Sequence, residues 1–146
     1  MNAEFNTVED ALKAIAAGEM IVVADDDDRE NEGDLVFCGS DVTPKKINFM
    51  AKYGRGLICL ALDSLQAKRL NLPLMSPVNQ SRNNTAFTIS IEAKKGITTG
   101  ISAKDRARTI KIASKRNVKK NEIVSPGHVF PIIAKDGCLL YTSPRP

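Results

Sequence analysis

Met20-Ile21-Val22-Val23-Ala24-Asp25-Asp26-Asp27-Asp28-Arg29-Glu30-Asn31-Glu32-Gly33-Asp34 is the stretch on which the fold turns. Its first five residues are apolar, three of them β-branched, which predicts a short buried strand over 20–24. In the next ten, seven are acidic. A strand running straight into a polar loop is a common seat of chemistry, because the strand fixes the loop. Upstream, Thr7-Val8-Glu9-Asp10 has the form of a capping box, with Thr7 as N-cap and Asp10 at the third helical position. Val8, Leu12 and Ile15 recur at helical spacing and Gly18 is a stop, so 8–17 is a helix.

Downstream, 35–38 reads as a second strand. Thr43-Pro44 opens a helix, with proline at its first position, an apolar face of Ile47, Met50 and Ala51, and an end near Gly54. A buried strand follows over 57–62 and a short helix over 64–70. The polar stretch 71–84, with Pro73 and Pro77, is a loop. An alternating strand is expected over 85–92, with Ala86 or Phe87 facing inward, then a threonine-rich turn over 96–100. Ser102 caps a helix over 103–115, and 129–134 is a strand whose Pro131 argues for an edge or a bulge. Helices and strands alternate irregularly without repeat or linker. The fold class is α+β, a single mixed-sheet domain.

The 146 residues suit one domain, and a chain of this size buries enough surface for a core without staples. With 42% hydrophobic and 26% charged residues, disorder is not the main state. No apolar run approaches the roughly 20 residues that span a bilayer. Cys38, Cys59 and Cys138 are odd in number and far apart, which indicates neither a disulfide framework nor a cysteine zinc site. The first twenty residues lack a secretory pattern. These features predict a cytoplasmic protein with reduced thiols and no membrane association.

Net charge is +4, yet two extremes lie behind it. Outside 25–34, twenty bases face ten acids; from Lys94 to Lys120 there are ten bases and one acid, Asp105. The basic stretch suits a solvated face or a phosphate. Nucleic acid is not expected, because aromatics are only 5% and no recognition motif interleaves with the bases.

Three segments carry chemistry. Clustered carboxylates around Arg29 are costly unless something positive completes them, and hard divalent cations favour oxygen clusters. An EF-hand is excluded: with Gly33 as the loop glycine, Gly39 falls where a bidentate glutamate is required. Mg²⁺ or Mn²⁺ with waters and a substrate oxygen fits better; the plain alternative is a solvated acidic turn. Gly96-Ile97-Thr98-Thr99-Gly100-Ile101-Ser102 leads into a helix start, where free N–H groups and hydroxyls suit phosphate, with Arg106 and Arg108 nearby. An ordinary capped turn is the competing interpretation. His128, the only histidine, follows Pro126-Gly127 and opens an apolar strand; such a ring is held firmly and suits acid–base work, or is simply structural.

Together the segments 28–34, 53–60, 85–88, 96–106 and 126–131 resemble, in order, the motifs of the 3,4-dihydroxy-2-butanone 4-phosphate synthase family of riboflavin biosynthesis. The resemblance covers 1–137 and implies a lyase that converts D-ribulose 5-phosphate into L-3,4-dihydroxy-2-butanone 4-phosphate and formate with Mg²⁺ or Mn²⁺. It implies a homodimer with sites near the interface. Glu30 would ligate the metal and contact the sugar phosphate, as would Arg29 and Asp34 the sugar. Thr99 would help hold the phosphate. Glu32 would join the acidic cluster and His128 would be an essential acid–base residue, with Cys59 near the pocket.

Two departures are Asn84, where the family often has glycine, and Ser125, where it often has arginine. Residues 138–146 do not match, and the expectation is a truncated or mistranslated gene end. On that expectation the 146-residue chain lacks a second metal-binding histidine, a phosphate-binding arginine and threonine and an essential glutamate, and has little or no activity. The competing class is a non-catalytic divalent-cation-binding or regulatory module.

Overall fold

A computed structural model of the chain describes residues 5–25, 31–80 and 82–135. Helix α1 spans Val8–Ala16, and the Thr7 hydroxyl accepts from the Asp10 amide as the capping pattern requires. Strands β1 (Ile21–Ala24) and β2 (Gly33–Val36) form an antiparallel hairpin in which Ala24 faces Gly33. The Asp25 amide donates to the Glu32 carbonyl at 2.9 Å, extending the pairing beyond Ala24 and Gly33. Residues 26–30 of the acidic segment, and with them Arg29 and Glu30, lie outside the described residues.

Here one expectation is corrected: β1 is a strand but not a buried one. Val22 is 66% and Val23 47% exposed, and no residue of α1 is buried either. A two-stranded ladder buries a face only if another layer covers it. Among the described residues chiefly α1 and the 50–54 turn touch the hairpin, leaving Ile21 and Leu35 half-buried and Val22 and Val23 exposed.

Helix α2 (Pro44–Phe49) starts at Thr43, whose hydroxyl accepts from the Lys46 amide, and runs into a π-helical turn over Met50–Gly54. Ile47 is fully buried and Met50 packs against the core, whereas Ala51 is exposed. Arg55 closes the turn in the left-handed region, at φ +55°. Strand β3 is Cys59–Leu62, with Leu60 and Leu62 buried; Leu57, expected inside it, is outside the strand and 58% exposed. Helix α3 (Ser64–Arg69) is tied to the end of α4 (Ala103–Ala113) by the buried Gln66 amide, which donates to the Ala113 and Lys115 carbonyls.

The expected strand over 85–92 is regular only as β4, Ile91–Ala93. Its earlier part forms isolated bridges, Leu74 with Thr88 and Phe87 with Ile132, and it is Thr88 that is fully buried while Ala86 and Phe87 are half-buried. Strand β5 (Ile123–Ile133) is longer than foreseen and central, not an edge: the order is β3-β5-β4, parallel to β3 and antiparallel to β4. Pro131 is tolerated in the middle because its missing N–H faces the irregular 85–90 segment, while its carbonyl still accepts from the Thr88 amide at 2.9 Å. The irregularity foreseen there lies upstream, between Val124 and Val129.

Helix α4 packs on α2, β4 and β5, and Ile47, Ile91, Ile110, Ala113 and Val129 form the centre of the core. The architecture is α+β with a mixed sheet and a separate hairpin.

Candidate active site

The site is built on the irregularity of β5. Ile91 faces Val129 and Glu92 faces Val124, so four residues, 125–128, bulge out against a single step of β4. Bulges re-aim side chains, and this one does so. Gly127 presses against the Ile91 carbonyl and the Glu92 side chain so closely that a Cβ would overlap both, and its N–H donates to the Ser90 hydroxyl at 3.0 Å. The next residue, His128, thereby places Nδ1 against Glu92 Oε1. The Glu92 side chain is only 15% exposed; the imidazole is 44% exposed.

The same carboxylate lies over Gly100, where a Cβ would collide with it and where φ is +87°. Glu92 thus joins two segments that the sequence keeps apart, the histidine bulge and the threonine turn, and Thr99 stands exposed on that turn next to Gly100.

The turn itself corrects one expectation. The N–H groups thought to be free are partly spoken for: Asp105 Oδ2 accepts from the amides of Thr98 and Gly100, each at 3.1 Å, and from the Thr98 hydroxyl at 2.7 Å. Arg108 is engaged too, its Nε donating to the Lys95 carbonyl at 2.7 Å. The turn is therefore locked from within, leaving the Thr99 side chain as its outward group.

The Thr98 hydroxyl bond, outweighing the opposing effect of burial and aided by the two amides and Ser102, holds the Asp105 carboxyl below its ordinary 3.8. A depressed carboxyl stabilises the fold above its unfolded value and loses that contribution as pH falls through the folded one. Urea denaturation should therefore find Asp105→Asn less stable than wild type at pH 7, with the gap narrowing below about pH 4. An unchanged gap at pH 3 would show that the carboxylate charge is not what the turn uses.

Asp34 and Cys59 come together from different elements. Burial, and then the negative charge of Asp34, raises the Cys59 thiol above its ordinary range. Cys59 in turn pairs with Phe130, two residues beyond His128 on β5. Glu32 is exposed at the hairpin mouth, with its carbonyl paired to the Asp25 amide. Among the described residues no three His, Cys, Asp or Glu side chains converge as a cation site.

The model of the family described as 3,4-dihydroxy-2-butanone 4-phosphate synthase matches residues 9–143. The chain belongs to this family. It is 54% identical over 139 residues to the riboflavin biosynthesis protein RibBA of Aquifex aeolicus, covering 94% of this chain and 34% of that one. Among solved structures it resembles RibBX, a two-domain 3,4-dihydroxy-2-butanone 4-phosphate synthase from A. baumannii, with a TM-score of 0.87, 45% identity, and coverage of 94% of this chain and 40% of that one. It also resembles a 3,4-dihydroxy-2-butanone 4-phosphate synthase in complex with two magnesium ions, with a TM-score of 0.89 and 38% identity over 91% of this chain and 62% of that one. The chain spans about a third of the length of the curated relatives it matches.

Asn84 sits at φ +51°, a conformation that glycine adopts freely and asparagine tolerates better than most side chains. Glu92 is the residue that sequence reasoning missed. Its signal was a carboxylate at the end of the alternating segment Ile89-Ser90-Ile91, four residues before Gly96 of the threonine turn.

Proposed function

We propose that this chain carries the reaction centre of a 3,4-dihydroxy-2-butanone 4-phosphate synthase acting in riboflavin biosynthesis. The substrate is D-ribulose 5-phosphate; the products are L-3,4-dihydroxy-2-butanone 4-phosphate and formate, by a lyase reaction. The observation that carries this reading is the carboxylate-backed imidazole of His128 beside the Thr98–Gly100 turn. An imidazole with one nitrogen engaged and an exposed edge suits repeated proton transfers at carbon next to a ketone. Thr99 holds the phosphate, Asp34 and Arg29 contact the sugar, and Glu32 shares the proton traffic.

Mg²⁺ or Mn²⁺ is proposed at Glu30, with support from the relative crystallised with two magnesium ions. The described residues supply no complete donor set for it. The active form proposed is a homodimer, supported by the exposed apolar residues Val8, Leu12, Val22 and Val23 on α1 and the hairpin. Cys38 and Cys59 are free thiols, in keeping with a cytoplasmic setting.

Formate released from D-ribulose 5-phosphate, measured for the protein in its natural length, tests this. The expected result is turnover that a chelator abolishes and that added Mg²⁺ or Mn²⁺ restores. Cation binding without any formate would overturn it and favour a non-catalytic cation-binding module.

A further inference from the structure

His128 is the single histidine of the chain, and its Nδ1 edge is closed by Glu92. An ionised carboxylate can only accept hydrogen bonds. A neutral imidazole against it must therefore carry its proton on Nδ1, which leaves Nε2 as the basic lone pair. Free histidine has no such constraint.

The fold reserves space for this contact at two places. Gly100 admits the Glu92 carboxylate because it has no side chain, and Gly127 admits the Glu92 stem in the same way. The Glu92 side chain is only 15% exposed, and thus has little freedom to leave the ring. The β5 bulge brings His128 across, and the β4 register brings Glu92 to meet it. Two glycines, a bulge and a strand end converge on one nitrogen.

From this juxtaposition we infer that Glu92 is a positioning residue: it fixes the tautomer and the orientation of His128, so that Nε2 is the nitrogen that exchanges protons with substrate. This rests on the acid–base role proposed above for His128. Glu92 itself touches no reacting atom. Its action is through the ring, as a carboxylate orients a histidine in other acid–base sites.

Imidazole ¹⁵N spectra of the 146-residue chain give a direct test, because one histidine yields one pair of ring signals. At a pH where the ring is neutral, the wild type should show the proton on Nδ1. Glu92→Ala should shift the population toward the proton on Nε2. Glu92→Gln keeps an acceptor oxygen and the side-chain shape, and should give a mixture of the two forms. Circular dichroism identifies any variant that fails to fold, and the isosteric glutamine variant keeps the test open if alanine does not fold.

In formate release by the protein in its natural length, Glu92→Ala should lower kcat by about 10²-fold with KM changed less than about threefold, and Glu92→Gln should fall in between. A wild-type ring protonated on Nε2 would overturn the assignment. So would a kcat unchanged in a variant whose tautomer has switched. If the wild-type protein in its natural length releases no formate while the ¹⁵N spectrum of the 146-residue chain shows the proton on Nδ1, it is the enzymatic reading that fails and not the geometry.

Discussion

Gly127→Ala should cost about 3 kcal/mol of stability and lower the melting temperature by about 10 °C. The magnitude follows from what an added Cβ meets. It would overlap the carbonyl of Ile91, a fully buried residue of β4, and the stem of Glu92. A long side chain can swing away from a new methyl group; a strand backbone held in a ladder cannot. Relief must come from separating β4 from β5 at the bulge, which also withdraws His128 from Glu92. Thermal denaturation checks the first consequence, and loss of the Nδ1-protonated ring signal checks the second. A variant melting within about 2 °C of wild type would show that the bulge yields cheaply and is not what aims the histidine.

His128→Ala should reduce formate release by about 10²- to 10⁴-fold, the usual contribution of a positioned acid–base group. The loss should fall on kcat, since the ring is proposed to move protons and not to anchor the phosphate, which is assigned to Thr99. The side chain is 44% exposed and sits outside the buried core, so its removal should leave the melting temperature within a few degrees of wild type. This separates His128→Ala from Gly127→Ala: the first loses rate and keeps the fold, the second loses both. Equal kcat values for wild type and His128→Ala would move the proton chemistry onto the acidic hairpin alone.

Local structure was legible wherever neighbours in sequence satisfy one another. Thr7, Thr43 and Ser102 cap helices as their spacing to residues 10, 46 and 105 requires, because a cap closes within one turn. His128 stood out by residue type and setting, whereas Thr99 and Asp34 were named only by the family resemblance. The exposure of β1 was not legible, since an apolar run reads alike whether or not another layer covers it. Nor was the central place of β5, because Pro131 forbids only one hydrogen bond, and which side that bond faces depends on a segment more than forty residues away.

The occupancy of the turn followed the same rule. Gly96–Ser102 announced free amides, but Asp105, from the helix that follows, had already folded back onto two of them. Residue types and short spacings determined the α+β class and the helix starts, and the order of the motifs pointed to the family. Only the tertiary structure decided that Glu92 meets His128, 36 positions away, across a bulge with room for it only at glycines. Chemical identity and local hydrogen bonding are written in consecutive residues, whereas the partner of a side chain is set by strand register, which emerges when distant segments pack.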